Sequence, residues 1–174
     1  IIEYARMRSI AVMPEIEMPG HALAYLSAYP QYSCTGGPFK PRCFWGVEND
    51  IICAGNDEGI AFLEQIIDEV LNIFDNVFIH LGGDECPRTR WETCPKCQKR
   101  IKDEGLSSTS QLQCWFTRHF AQYLESKGRR LVGWDEVLDG YLDFPKSTVI
   151  MQWRSAAAGM AARRGYNVVV SPNF

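Results

Sequence analysis

Two adjacent acids, Asp84 and Glu85, end the segment of residues 80–85 (HLGGDE), which follows a hydrophobic run typical of a strand. Burying even one ionised carboxylate is costly. Neighbouring side chains of a regular strand point to opposite faces, so both acids can reach one site only if the strand ends there. We interpret the pair as a general acid beside a second carboxylate with a different role. A helix N-cap followed by a first-turn acid is the structural alternative.

A second candidate segment, residues 14–21 (PEIEMPGH), follows the apolar run of residues 10–13. Two prolines and a glycine restrict the conformation of this segment. Its last residue, His21, could hold or tune an acid across the site. A loop histidine bonded to a backbone carbonyl is the alternative, and the residues alone leave both open.

Tryptophans form the third group. Aromatic rings bind the apolar faces of sugars and acyl groups, and acids among them suggest a carbohydrate site. Two tryptophans end predicted strands beside polar residues, whereas Trp115 lies at helical spacing and is assigned to the core. The candidates for substrate binding are therefore Trp134, Trp153, Asp135 and Glu136, with Trp45 and Trp91 as weaker ones.

The chain has seven cysteines, so at least one has no partner within it. Cys34 and Cys53 bracket a loop and are a candidate disulfide in an oxidising compartment. Cys94 and Cys97 form a C-x-x-C and are a second candidate pair. A single C-x-x-C lacks the second pair of ligands that a structural zinc site normally has, so the spacing does not favour zinc.

The elements that must position these residues alternate between strand and helix. Strands are predicted at residues 10–13, 76–81, 130–134, 148–153 and 167–171, with helices over 63–74, 112–124 and 155–164. This order indicates a parallel sheet with crossover helices. Polar and aromatic residues collect at the carboxyl ends of the strands, where (β/α)₈ barrels build their active sites.

A whole barrel takes about 250 residues. The 174 residues here therefore predict an α/β fold that is part of a (β/α)₈ barrel, approximately strands 3 to 7, incomplete at both ends. We expect residues 1–174 to belong to a single domain.

Composition excludes several functions. Hydrophobic residues make up 46% and charged residues 22%, as in globular proteins. The net charge is −3, which gives no basic excess for binding nucleic acid. No apolar run reaches the ~18 residues of a membrane span. No glycine-rich phosphate-binding motif follows a predicted strand, which disfavours a nucleotide-binding fold.

Four segments together resemble glycoside hydrolase family 20, the β-N-acetylhexosaminidases. They are residues 14–21, residues 80–85, residues 133–136 (GWDE) and residues 152–153 (QW), and they occur in the family's order. The loop containing Cys34 and Cys53 resembles that of Bacteroidetes-type bacterial members. Glu17 stands where many members have Asp.

The resemblance implies retaining hydrolysis of terminal, non-reducing β-linked N-acetylhexosamine (GlcNAc or GalNAc), with the substrate's 2-acetamido oxygen as the nucleophile. By resemblance, Glu85 is the general acid and then base, Asp84 orients the acetamido group, and His21 supports the acid. Trp134 and Trp153 would enclose the sugar. Glu85 must be protonated near neutral pH while Asp84 stays ionised, so we expect burial and the neighbouring charge to raise one of the two pKa values.

The resemblance has further consequences. The expected partners are glycans that contain N-acetylhexosamine, and neither a metal nor a cofactor is needed. Such substrates place the enzyme in the periplasm, at the cell surface or outside the cell. The family's early arginine would precede Ile1, and its last tryptophan and acids would follow Phe174. We therefore expect a catalytic-domain fragment, with missing barrel strands in the parent chain, that is inactive or poorly folded alone.

Two alternatives remain at this stage. One is a non-catalytic sugar-binding remnant. The other is a two-carboxylate barrel β-glycosidase, which the adjacent acids disfavour because its two acids usually come from different strands.

Overall fold

A parallel sheet forms the centre of the computed structural model, which describes residues 1–154 and 157–172. The four strands of the sheet lie side by side in chain order, and every neighbouring pair is parallel. Their carboxyl ends therefore meet at one edge. The strands are β1 (Phe78–His80), β2 (Arg130–Trp134), β3 (Val149–Gln152) and β4 (Asn167–Val170).

The predicted alternation of strands and helices is confirmed from β1 onward. A long helix precedes β1, another connects β1 to β2, and a third connects β3 to β4. The predicted helix over 155–164 is helical from residue 157, and residues 155 and 156 lie outside the described residues. The helices are α1 (Ile2–Arg6), α2 (Leu23–Ala28), α3 (Asp57–Ile73), α4 (Thr89–Thr93), α5 (Pro95–Asp103), α6 (Thr109–Ser126) and α7 (Ala157–Arg163), with 3₁₀ turns at Pro30–Tyr32 and Asp135–Leu138.

Local sequence explains the ends of the helix α6. The Ser108 side chain accepts a 3.2 Å hydrogen bond from the Gln111 backbone N–H and caps the first turn. Gly128 adopts a φ of +71° just after the last turn, the left-handed conformation in which glycine commonly ends a helix. Within residues 1–154 and 157–172, no helix combines the length and the apolar composition needed to cross a membrane.

The prediction of a first strand at residues 10–13 is wrong. Residues 10–13 are not assigned to a strand, and Ile10 is exposed. Pairing with β1 begins only afterwards, where the His80 N–H donates to the Pro14 carbonyl at 3.0 Å and the Ile16 N–H donates to the His80 carbonyl at 2.9 Å. The chain thus joins the sheet through an isolated parallel bridge between Glu15 and His80. Residues 14–18 therefore lie beside β1.

One hydrophobic core lies between the sheet and the helices. Phe116 and Phe120 of α6 are fully buried in the same cluster as Ile79 and Leu131 of the sheet. Burial of a side chain of this size stabilises the fold by roughly 1.5–3 kcal/mol. Trp115 is buried here as predicted.

Trp91 also belongs to this core, which corrects its candidacy for the substrate site. Its side chain is 0% exposed, and its indole N–H donates a 2.9 Å hydrogen bond to the Ile52 carbonyl. A buried indole with a satisfied N–H is a structural element.

The predicted cysteine pairings are not formed. All seven thiols are free. Cys34 and Cys53 nevertheless come together with Cys94 and Cys97, and the four sulfur atoms lie within 4.8 Å of one another. The loop of residues 31–57 is therefore packed onto the turn that begins α5.

Candidate active site

The turn after β1 directs Asp84 and Glu85 into the same cleft. Gly82 and Gly83 adopt φ angles of +65° and +95°, which glycine reaches without strain. A Cβ at Gly83 would lie 2.5 Å from Val137 Cγ1, so a side chain there would collide with the core. The strand thus ends sharply before the two acids, which is the condition that the sequence analysis set for a shared site.

His21 lies against both acids. Its Nε2 is 3.6 Å from Asp84 Oδ2 and 3.5 Å from Glu85 Oε2. These are ion-pair distances when the imidazole is protonated, and they are at or beyond the limit of a direct hydrogen bond. The structure therefore brings the three predicted catalytic residues together.

The predicted tryptophans line the same cleft. A cavity of about 410 Å³ is bounded by Asp84, Glu85, Trp134, Trp153 and Ser171. A volume of this size suits a small-molecule site. Its acids and indole rings give it the polar and apolar surfaces that a sugar requires.

Carboxylates fix the orientation of both tryptophans. The Trp134 Nε1–H donates to Glu15 Oε1 at 2.9 Å, and the Trp153 Nε1–H donates to Glu136 Oε2 at 2.8 Å. Glu136 Oε1 also lies 3.5 Å from the Glu85 backbone N–H. Glu136 therefore connects one tryptophan to the acid pair, from a position that is 9% exposed.

Asp135 lies behind the cleft. Its side chain is 0% exposed and accepts hydrogen bonds from the backbone N–H groups of Trp153, at 2.9 Å, and Arg154, at 3.2 Å. It also pairs with the Arg154 guanidinium. The prediction that Asp135 contacts the substrate is not supported by this geometry, because its carboxylate is used to hold the end of β3.

Burial and the charged groups nearby shift the pKa of Asp84. Burial raises the pKa of Asp84, and its own backbone N–H and the nearby His21 partly offset that effect. Burial, followed by the charges of Asp84 and Glu15, raises the pKa of Glu17 to about 9. Glu17 is therefore protonated at neutral pH, which leaves one fewer negative charge beside Asp84.

His80 is an interior residue behind the cleft. Its ring is 1% exposed, and its Nδ1 lies 3.0 Å from Glu15 Oε1 on the neighbouring segment. The ring meets the Trp134 indole edge-on, with 5.0 Å between centroids. His80 therefore supports the tryptophan wall from behind.

Gln113 is a site residue that the sequence analysis missed. It is 1% exposed on α6, and its side-chain amide donates a 2.7 Å hydrogen bond to the Gly83 carbonyl. The Arg88 guanidinium donates to its Oε1 at 2.6 Å. The available signal was a polar residue next to Leu112 in an otherwise apolar stripe.

Glu85 also lines a second cavity. It has a volume of about 690 Å³ and is bounded by residues 43–47 together with His21 and Glu85. Phe44 and Trp45 of this segment are 72% and 99% exposed. Glu85 therefore borders both cavities.

Two clusters in the described part of the chain have donor sets that could hold a metal ion. His21, Asp84 and Glu85 present ligand atoms within 4.8 Å of one another, at the site described here. The four cysteines form the other cluster.

Comparisons with known proteins agree with this arrangement. The family model described as the catalytic domain of glycosyl hydrolase family 20 matches residues 1–174. A beta-hexosaminidase of Porphyromonas gingivalis is 47% identical over 173 residues, which are 99% of this chain and 22% of that protein. The chain thus spans about a fifth of the length of this relative.

Solved structures share the fold. The β-N-acetylhexosaminidase from Bacteroides fragilis matches with a TM-score of 0.89 and 40% identity, over 99% of this chain and 35% of that chain. The chitobiase from Flavobacterium johnsoniae matches with a TM-score of 0.92 and 30% identity, over 98% of this chain and 27% of that chain. The predicted partial α/β barrel is thereby confirmed.

Proposed function

Because the chain belongs to glycoside hydrolase family 20, we propose that the protein carrying it is a retaining β-N-acetylhexosaminidase. It removes terminal, non-reducing GlcNAc or GalNAc from glycans, with the substrate's own acetamido group as the nucleophile. One observation carries the proposal. Asp84 and Glu85 share a tryptophan-lined cavity, and Glu85 also lines a second cavity.

Glu85 is the proton donor in the first step. Its carboxyl group protonates the glycosidic oxygen while the substrate's acetamido oxygen attacks the anomeric carbon and the bond to the leaving group breaks. The product is a bicyclic oxazolinium ion. In the second step the Glu85 carboxylate takes a proton from water, which attacks the same carbon and reopens the ring. Two inversions at one carbon give net retention.

Asp84 acts on the acetamido nitrogen. Its carboxylate accepts a hydrogen bond from the acetamido N–H, orients the oxygen for attack and stabilises the positive charge that develops on the ring. A protonated Glu17 beside it supports this role, because the negative charge then stays on Asp84. His21, near both carboxylates, lowers the pKa of Asp84 against the effect of burial and favours its ionised form.

Trp134 and Trp153 enclose the sugar and its acetamido methyl group. Their N–H groups are used by Glu15 and Glu136, so the rings present apolar faces to the cavity at fixed positions. We assign Asp135 to positioning, through Trp153 and Arg154. Glycans of this class are extracellular, so we place the protein in the periplasm, at the cell surface or outside the cell.

The test uses the full-length protein and two chromogenic substrates, the p-nitrophenyl β-glycosides of GlcNAc and of glucose. We expect cleavage of the GlcNAc substrate alone, and a loss of about 10²–10⁴-fold in kcat/KM for Glu85→Gln. Glu92→Gln is the matched control, because Glu92 is exposed on the neighbouring α4.

Each of the other two outcomes would favour one of the alternative functions. Equal cleavage of the glucoside would show that the acetamido group is not the nucleophile and would favour two directly acting carboxylates. Cleavage of neither substrate, with GlcNAc binding retained, would leave a sugar-binding protein.

A further inference from the structure

The four-cysteine cluster lies outside the machinery used by the proposed reaction. Its members come from three separate stretches of chain. Cys34 follows the 3₁₀ turn at Pro30–Tyr32, and Cys53 lies in the loop before α3. Cys94 is the N-cap of α5, and Cys97 lies in its first turn. Three of the four are buried, and Cys34 is half-buried. Only folding brings them together, since 41 residues separate Cys53 from Cys94.

The distances between the sulfur atoms distinguish a disulfide from a metal site. Cys34 and Cys97 are 3.8 Å apart, Cys53 and Cys94 are 3.7 Å apart, and Cys53 and Cys97 are 3.6 Å apart. A disulfide requires about 2.05 Å. Four thiolates around one tetrahedral Zn²⁺, each at about 2.3 Å from the metal, lie about 3.8 Å from one another. Three of the six sulfur–sulfur distances therefore match those of a tetrahedral metal site, and all six lie within 4.8 Å.

We propose that Cys34, Cys53, Cys94 and Cys97 bind one zinc ion in a closed, structural site. Four protein ligands leave no position for water or substrate, so the ion has no part in hydrolysis. This proposal departs from the expectation that the chain needs no metal. The C-x-x-C lacked a second pair in the sequence, and the fold supplies that pair.

The backbone around the cluster is built for close approach. A Cβ at Gly55 would lie 2.5 Å from the Cys97 backbone nitrogen and closer still to the Lys96 carbonyl. The loop carrying Cys53 thus contacts the C-x-x-C turn directly, with no space for a side chain. A bound ion would join these two segments at their point of contact.

The same loop also contacts the segment that carries His21. The Ile52 N–H, next to Cys53, donates a 3.0 Å hydrogen bond to the Pro19 carbonyl, two residues before His21. The Trp91 indole N–H, in α4, donates to the Ile52 carbonyl at 2.9 Å. Zinc would therefore fix the loop of residues 31–57 where it approaches His21, and the proposal holds whether or not the protein cleaves glycans.

The test measures the metal content of the purified full-length protein by elemental mass spectrometry. We expect about one equivalent of zinc per chain. Cys97→Ser should lower it to near zero, whereas Cys43→Ser, at an exposed cysteine of the same loop, should leave it unchanged. Because Cys97→Ser could fail to fold, a second measurement uses the unmodified protein with cobalt in place of zinc. Tetrahedral thiolate coordination would give intense sulfur-to-cobalt charge-transfer bands together with visible d–d bands.

Three results would overturn the assignment. The first is a mass lower by four hydrogens with no metal, which would mean two disulfides. The second is four titratable thiols in metal-free protein that binds neither zinc nor cobalt. The third is one equivalent of iron in place of zinc, since a four-thiolate site also suits iron.

Discussion

The side-chain amide of Gln113 donates a 2.7 Å hydrogen bond to the carbonyl oxygen of Gly83, the residue directly before Asp84. Gln113 lies in the second turn of α6, so a rigid helix holds the turn on which both acids depend. The amide is in turn fixed by the Arg88 guanidinium at 2.6 Å. Gln113 touches no substrate in the proposed reaction and is a positioning residue.

Gln113→Leu should lower kcat by roughly ten- to a hundredfold and change KM little. It removes the donor to a buried carbonyl, which costs about 1–3 kcal/mol, and it loosens the placement of Glu85 relative to the scissile bond. Steady-state kinetics on p-nitrophenyl β-GlcNAc would separate the two constants.

Gln122→Leu is the matched control for this variant, because Gln122 is exposed on the same helix. It should leave both constants within about twofold, in line with the small effects of surface substitutions. A fall in stability without a fall in kcat for Gln113→Leu would show that Gln113 serves the core alone.

His21→Gln should move the acid limb of the kcat/KM profile to higher pH. Burial raises the pKa of Asp84, and the charge of His21 acts in the opposite direction. Without the imidazolium, Asp84 should bind its proton more tightly and lose its active, ionised form at a higher pH.

The control for the pH profile is His119→Gln. The His119 Nε2 lies 2.8 Å from Oε1 of Glu64, a residue of α3, and does not face the acid pair. Its acid limb should coincide with that of the unmodified protein. An acid limb that stays in place or moves to lower pH in His21→Gln would contradict this account of Asp84.

Much of this site could be predicted from the sequence because its signals are local. The glycines before Asp84 and the apolar run before them mark a strand that ends at the acids, and the structure shows that ending. Trp134 is the last residue of β2 and Trp153 directly follows β3, and parallel strands in chain order bring such ends to one edge. The same logic predicted that these residues would share a cleft.

Other features depend on contacts between distant residues, and the sequence does not encode them locally. The run of residues 10–13 is apolar, but strand pairing begins at Pro14, where a partner on β1 is available. Asp135 follows β2 just as Glu85 follows the turn after β1, yet Arg154, two residues after β3, draws its side chain away from the cleft. The cysteine cluster joins three stretches that no sequence spacing connects.

Glu17→Gln should make stability less dependent on pH. Burial raises the pKa of Glu17 from its ordinary value of 4.5 to about 9 in the folded protein. Between these two values the folded state keeps a proton that the unfolded chain has released, so the free energy of unfolding falls as pH rises. Glutamine carries no such proton, and the variant should gain on the unmodified protein as pH increases.

Urea unfolding of the full-length protein at roughly pH 6 and pH 8 would measure this difference, since both lie within the interval where the two states differ in bound protons. Glu69→Gln, at an exposed acid of α3, should follow the unmodified protein at both pH values. A gap between Glu17→Gln and the unmodified protein that is constant with pH would contradict the raised pKa.

Gly55→Ala should destabilise the protein and weaken the contact between the loop of residues 31–57 and α5. The new methyl group would lie 2.5 Å from the Cys97 backbone nitrogen, and backbone cannot move aside as a flexible side chain can. Overpacking of this kind costs about 1–3 kcal/mol.

Gly159→Ala is the same exchange in α7, where the nearest atom is the end of the Arg163 side chain at 3.4 Å. That control should be neutral or stabilising by up to about 1 kcal/mol, because alanine favours helix over glycine. Thermal unfolding of both variants would compare them directly, and equal melting temperatures would show that the loop can shift away from the cysteine turn without cost.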